Sequence, residues 1–458
     1  MSQLQRQSRF DRSDDVVVMK FGGTSVEDAA AVQRVINIVQ SRLDARPVVV
    51  VSALAGVTDQ LLDAGHAAAG GRLGAALDKV REIYVRHEKL ADELLQGSPR
   101  AEVENQLRGD FRAEFESLEF LLHALDDCRK LSTQSWDRLL GFGECLSSKL
   151  LTATLADAGI CVTHVDARTC IVTDASNGQA APIWDETNPR LQTMLGPLLE
   201  SGQVPVLGGF IASASDGTPT SLGRGGSDFT AAIIGASLSA ARVEIWKTVD
   251  GVMTADPKVC PEARLIHKMS FAEAAELTRC GAKVLHPETL APLMRENIPV
   301  YVLNSCRPEC EGTEIAARAR PGNAVRAITV KRSVVAVENA PQQLQSNSPA
   351  DVHVNVKWES NSALVCVVGE NIQQRSDVTS LILEATSDLN VSFCQSESVR
   401  TISFLVEDSK AEESVRRLHG IFFPKPEIVR DWGGISAAFC QAGQVEPASG
   451  SVANLGRD

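Results

Sequence analysis

No apolar run of about 18 or more residues occurs in this 458-residue chain, so no stretch has the length and character of a membrane-spanning helix. Residues 1–14 are polar and mixed in charge, without the apolar centre of a signal peptide, and are expected to form a disordered tail. Basic charge is not in excess. With 45 Lys and Arg against 58 Asp and Glu, the net charge is −13 and the pI near 5.2, which argues against nucleic acid or an anionic membrane as the main partner. The eleven cysteines include no C-x-x-C pair, and Cys306 and Cys310 have no neighbouring histidine to complete a zinc site. Reduced, buried thiols and a cytoplasmic location are the expectation. The hydrophobic content of 44% supports a sizeable core, and the length allows two or three domains at roughly 150 residues each.

What is present begins with Val16-Val17-Val18-Met19-Lys20-Phe21-Gly22-Gly23-Thr24-Ser25-Val26. An apolar run long enough for one buried strand delivers a lysine, two glycines and two hydroxyls. Such a turn lets backbone N–H groups approach an anion, and a following helix start adds partial positive charge. Ser25-Val26-Glu27-Asp28 reads as a capping box, placing that helix directly after the glycines. The stretch is neither a P-loop nor a Rossmann fingerprint, and by itself it equally suits the ordinary joint of an α/β domain.

Helical spacing over 27–43 and the strand Val48–Val51 complete a βαβ unit, whose second strand ends in a small-residue loop from Ser52 to Thr58. In an open parallel sheet that loop sits beside the Lys20 loop. From 61 to 131 the pattern is a helical excursion broken near Gly97-Ser98-Pro99. Gly143-Glu144 is read as glycine before a glutamate near the start of a further helix, either a match to the helix dipole or a partner for a substrate ammonium. A strand over 161–165, a polar stretch over 166–189, a helix over 191–200 and a buried strand ending at Gly208-Gly209 follow.

Gly223-Arg224-Gly225-Gly226-Ser227-Asp228 opens another helix and is the most informative local cluster, because arginine in such a turn offers a bidentate fork for carboxylate or phosphate. The strand 243–246 leads into a polar loop reaching Lys258, and Ser270-Phe271-Ala272-Glu273 is a second capping box. Gly281-Ala282-Lys283-Val284-Leu285-His286-Pro287 precedes a helix, with His286 read as a capping or core histidine before a catalytic one. Residues 306–323 have linker composition. Beyond them, 324–423 reads as a compact βαββα module, and 441–458 as a disordered tail.

Lys20-Phe21-Gly22-Gly23-Thr24-Ser25-Val26, Gly143-Glu144, Gly223 to Asp228 and Gly281 to Pro287 occur together in the order found in aspartokinases, and the chain resembles that family from about Val16 to Phe423. The resemblance implies an α/β fold with an open, mainly parallel sheet sandwiched by helices over 15–305, a linker over 306–323, and a smaller α+β, ferredoxin-like ACT domain over 324–440. It implies transfer of the ATP γ-phosphoryl group to the β-carboxylate of L-aspartate, with Mg²⁺, and a homodimer formed through the ACT-like domain. Lys20 would meet the phosphoryl group, Gly22 and Gly23 would supply backbone donors, and Asp228 would hold Lys20 or the substrate. Arg224 would fork onto a carboxylate of aspartate, Glu144 would pair with its ammonium, and Ser52, Thr58 and Ser227 would hydrogen-bond around it. Thr248, Val249, Asp250, Met253, Asp256, Lys258 and Lys283 would hold the nucleotide. No metal ligands from protein side chains are expected.

The chain departs from the family pattern in two places. Thr248, Met253 and Lys258 stand where Asp, Tyr and Arg are usual, and roughly 33 residues separate Thr329 from Ala363, where a complete first ACT module would need ~42 before any loop. A polar bridge over 342–350 is read there instead, and weak or absent feedback by lysine is expected. The alternatives are a kinase for another acidic amino acid and a non-catalytic effector-binding protein. Retention of Lys20 and Asp228 argues against the second.

Overall fold

The computed structural model describes residues 16–96, 100–282, 285–318, 324–332, 362–394 and 398–424. The expected tails, the bridge over 342–350 and the strand expected at 352–358 lie outside them. The chain opens with β1 (Val17–Phe21), α1 (Ala29–Gln40) and β2 (Pro47–Val51), then a run of helices, α2 (Val57–Ala69), α3 (Leu73–Leu95), α4 (Ala101–Cys128) and α5 (Thr133–Asp157). It returns through β3 (Val162–Val165), β4 (Val172–Thr173), α6 (Trp184–Glu200), β5 (Val204–Gly208), β6 (Ile211–Ala214), β7 (Pro219–Ser221) and α7 (Gly226–Ser237). Then come β8 (Arg242–Lys247), β9 (Lys268–Ser270), α8 (Phe271–Arg279), α9 (Pro287–Arg295), β10 (Val300–Asn304) and β11 (Thr313–Ala316). Among the described residues these form one eight-stranded sheet, β3-β5-β2-β1-β8-β10-β11-β9, and a small sheet β4-β6-β7. The large sheet is parallel except where β10 meets β11.

The pleat of β1 decides which side of the sheet carries chemistry. Successive side chains alternate faces, so Val17, Met19 and Phe21 join the core beneath α1, while Val18 packs on the opposite side with Ala231–Ile234 of α7. Lys20 falls on the α7 side by the same alternation. In the neighbouring β8, Val243 and Ile245 share that face, and Lys20 pairs in register with Ile245. The helices α2 to α5 bury a separate apolar cluster centred on Leu61, Ile83, Phe111 and Leu122.

The C-terminal unit consists of β12 (Val325–Lys331), β13 (Ser362–Gly369), α10 (Ser376–Ala385), β14 (Ser392–Cys394), β15 (Thr401–Glu407) and α11 (Asp408–Phe422). Its described strands make an antiparallel sheet, β12-β13-β15-β14. One face, with Val365, Val367 and Phe404, packs on α10 and α11. The other, with Leu364, Cys366 and Val368, joins Ala274, Leu277 and Cys280 of the α8 region in the core of the N-terminal unit.

Four local expectations change. Asp28, not Ser25, caps α1: its carboxylate accepts from Ala31 N at 2.7 Å, and a 3₁₀ turn over Gly23–Ser25 intervenes, with Ser25 bonded instead to Ser305 at 2.9 Å. Glu144 lies in the middle of the unbroken α5. Gly143 is tolerated there because a Cβ would come within 2.7 Å of Ala53 Cβ, so glycine lets the helix approach the β2 loop. The helix expected from 191 starts at Trp184, and part of the stretch read as linker forms β11 of the large sheet, between β10 and the edge strand β9. The capping box at Ser270 is present, and its Glu273 also accepts from Arg326 of β12 at 2.7 Å, joining the two units.

Glu273→Ala removes the box and takes one carboxylate from Arg326, whose side chain is 12% exposed. Its cost should be about 3 kcal/mol, against about 1 kcal/mol for Ser270→Ala. Urea denaturation of the two variants measures both, and equal costs would contradict the role given to the Arg326 pair.

Candidate active site

Lys20 reaches the carboxyl end of β1 with its ammonium 2.6 Å from Asp228 Oδ1, and Lys247, the last residue of β8, places its own 3.6 Å from Asp228 Oδ2. Asp228 is in the first turn of α7, where a carboxylate also matches the helix dipole. Burial alone pushes the Asp228 carboxyl up, but Lys20 and then Lys247 outweigh it and hold its pKa below the usual range. Burial draws the Lys247 ammonium down, with Asp228 acting in the opposite sense.

Around Lys20 and Asp228 opens a cavity of about 460 Å³ lined also by Ser52, Thr58, Glu144, Arg224 and Ser227. All the side chains expected to surround the amino-acid substrate are therefore brought together. Arg224 is exposed in a turn whose flanking glycines, Gly223 and Gly225, have φ of +70° and +76°, a region other residues rarely adopt. Glu144 is buried and takes a hydrogen bond from the Ala53 N–H, but its Oε2 has no partner among the described residues. Burial is the main cause that pushes its pKa up to about 7, against the smaller pull of Lys20. A buried carboxylate oxygen without a donor, facing a cavity, suits a cationic group.

A second cavity, of about 900 Å³, is lined by Thr248, Val249, Asp250, Met253, Asp256 and Lys258, together with Lys247, Gly281 and Ala282. Lys283 lies outside the described residues. The C-terminal unit supplies part of the wall through Ile328 to Arg332. Asp250 is engaged by Asn304 at 2.7 Å and by Arg307, so it braces the loop against the end of β10. Gly22 N–H donates to the Trp246 carbonyl at 3.3 Å, while Gly23 accepts from Ala55 N at 3.2 Å and starts the 3₁₀ turn. His286 occupies the N-cap position of α9 without a side-chain capping bond. Among the described residues no three His, Cys, Asp or Glu cluster to hold a metal ion.

Sequence reasoning passed over three residues of the first cavity and its support. Phe210 lines it with φ of +67°, an uncommon conformation for a bulky residue. Trp136 lines it beside the helix position of Asp137. Asp137 is buried and accepts from Asn177 Nδ2 at 2.9 Å, Gly178 N at 3.0 Å and Ser221 Oγ at 2.5 Å, fastening the loop around 178 and the strand leading to Arg224. Its partners are 40 to 84 residues away in sequence, so no local signal marks it. Lys247 did carry a signal: period-two alternation in β8 puts it on the face of Val243 and Ile245, the Lys20 side.

Asp137→Ala should free these clamped segments at a cost of about 2 kcal/mol. Amide hydrogen exchange at 176–180 and 221–225 should then rise about 30-fold, with β1 and β8 unchanged. Unchanged exchange in both loops would contradict the clamp.

Residues 15–304 match the amino acid kinase family and residues 365–422 an ACT domain. The chain is 31% identical to chloroplastic aspartokinase 2 of Arabidopsis thaliana, covering 89% of this chain and 84% of that one. It is 30% identical to lysine-sensitive aspartokinase 3 of Escherichia coli, over 89% and 99% of the two chains. The structure of E. coli aspartokinase III in complex with aspartate and ADP superposes with a TM-score of 0.76 at 29% identity, covering 89% of this chain and all of that one, 100%. With the paired cavities, the amino acid kinase sheet and the ACT domain all in place, the chain belongs to the aspartokinase family.

Proposed function

We propose that the protein transfers the γ-phosphoryl group of ATP to the β-carboxylate of L-aspartate, giving 4-phospho-L-aspartate. The observation that carries this reading is the pair of cavities on either side of one ion cluster, with Lys20 and Asp228 lining one and Lys247 the other. The aspartate and ADP held by the E. coli structure support the assignment of one cavity to each substrate. Aspartate is already ionised at pH 7, so the reaction needs no strong general base and rests on positioning and charge stabilisation.

Lys20 meets the transferring phosphoryl group and Asp228 orients Lys20. Arg224 forks onto a carboxylate of aspartate, Glu144 takes its ammonium, and Ser52, Thr58 and Ser227 complete its hydrogen bonds. The donor is ATP as its Mg²⁺ complex, held by Thr248, Val249, Met253, Asp256, Lys258 and Lys283, with Asp250 bracing the loop. Because Gly22 N–H is engaged with Trp246, Gly23 is the better placed backbone donor of the pair.

The catalytic domain spans 15–305 and the ACT-type domain 324–440, joined by the segment 306–323 that contains β11. Exposed Leu381 and Leu383 on α10 and Phe393 on the edge strand β14 support a homodimer through that domain. The product's role is the first step toward lysine, threonine and methionine in the cytoplasm. Response to lysine is weak or absent, since the sequence between Thr329 and Ala363 is too short for a complete first module.

An assay coupled to ADP release separates the readings. Aspartate should be turned over well above glutamate or N-acetylglutamate, and Lys20→Ala should abolish the reaction. Preference for another acceptor would overturn the substrate assignment. In the same assay lysine and threonine should leave the rate unchanged at micromolar concentration; inhibition there would refute the reduced-feedback reading.

Glu144 predicts a pH dependence. In the free enzyme its carboxyl, raised to about 7, is protonated below that pH and cannot pair with the substrate ammonium. kcat/KM for aspartate should therefore fall about tenfold per pH unit below the pKa, with the limb displaced to lower pH in kcat because bound ammonium favours the carboxylate. Glu144→Gln should raise the KM for aspartate about 100-fold and flatten the limb. A limb that survives this substitution would assign it to another group.

A further inference from the structure

Lys247 has no place in the reading taken from the motifs, yet its surroundings are those of a built site. Its side chain is about three-quarters buried, with 26% exposed, and its ammonium stands 3.6 Å from Asp228 Oδ2 while Lys20 holds Oδ1. Its backbone is fastened: the Lys247 carbonyl accepts from Ser305 N at 2.7 Å and from Ser305 Oγ at 3.1 Å, and Ser305 Oγ is 2.9 Å from Ser25 Oγ in the glycine turn. The two ammoniums are thus referenced to the same turn and share one carboxylate. They differ in what they face, Lys20 the smaller cavity and Lys247 the larger.

Asp228 thus faces both ammoniums, and each ammonium lines a different cavity. An ammonium on the donor side of a phosphoryl transfer stabilises charge where it accumulates as the bond to the leaving group breaks. We propose that Lys247 is a catalytic residue that binds the β- and γ-phosphate oxygens of the nucleotide and stabilises the departing β-phosphate, while Lys20 serves the acceptor side. In the step a β-carboxylate oxygen of aspartate forms a bond to the γ-phosphorus. The bond from that phosphorus to the β,γ-bridging oxygen breaks, and its electron pair becomes the new charge on the β-phosphate of ADP. No proton is transferred. Asp228 keeps both ammoniums oriented.

The inference rests on the ATP-dependent aspartate kinase reading, and its test is chosen to separate the two. In full-length protein, Lys247→Met should lower kcat at least 100-fold, and its ADP affinity, measured by calorimetry, should fall about tenfold. Affinity for AMP, which has no β-phosphate, should be unchanged, whereas a purely structural role would weaken both nucleotides together. Lys247→Arg should recover part of the ADP over AMP preference. Lys247→Gln, of intermediate polarity, provides the same comparison if the methionine variant does not fold. Wild-type kcat and wild-type ADP over AMP discrimination in Lys247→Met or Lys247→Gln would overturn the proposal, as would equal loss of both nucleotides. A wild-type enzyme inactive toward aspartate would defeat the substrate reading alone, because the ADP and AMP comparison still tests Lys247.

Discussion

The sharing of Asp228 by two lysines is the interaction on which the rest of the site depends. Two ammoniums brought together in a partly desolvated cleft would repel each other strongly, and the carboxylate between them makes the arrangement tolerable. Three elements meet to make it: β1 brings Lys20, β8 brings Lys247, and the first turn of α7 brings Asp228. Adjacent parallel strands with a common pleat put both lysines on the α7 face, beside the apolar Val18, Val243 and Ile245.

Around that cluster the two cavities are built from different materials. The smaller is made of strand ends, helix starts and the middle of α5 within the catalytic domain, and its shape is held by buried polar clamps such as Asp137. The larger is walled on one side by the ACT domain. Thr254, within the loop after β8, bonds His419 of α11 at 2.9 Å, and its carbonyl accepts from Ile328 N of β12 at 2.8 Å. With the Arg326–Glu273 pair and the apolar contact of α8 with the ACT sheet, the loop after β8 and the ACT domain form one packed unit.

Much of this was legible in the sequence wherever a residue's role is set by its neighbours in the chain. The runs at 17–21 and 47–51, the Gly223–Asp228 turn and the capping box at Ser270 are local signals with local physical causes. Period-two alternation also carried Lys247, had it been followed to the end of β8. The misplaced cap at Ser25 and the misread start of α5 at Gly143 have another origin. Ser25 is drawn to Ser305, 280 residues away, and Gly143 is glycine because α5 must press against Ala53. Both are tertiary demands that override local grammar. Asp137 and Phe210 were invisible for the same reason, since their roles exist only once distant segments meet.

The central claim is that this edge of the sheet joins a phosphoryl group from ATP to a carboxylate of aspartate. ³¹P NMR of the reaction with MgATP and L-aspartate labelled with ¹⁸O in the β-carboxylate tests it directly. An acyl-phosphate resonance that carries the isotope shift of a bridging ¹⁸O, accompanied by equimolar ADP, is the predicted result. ADP with only unlabelled inorganic phosphate and no acyl-phosphate resonance would contradict the account.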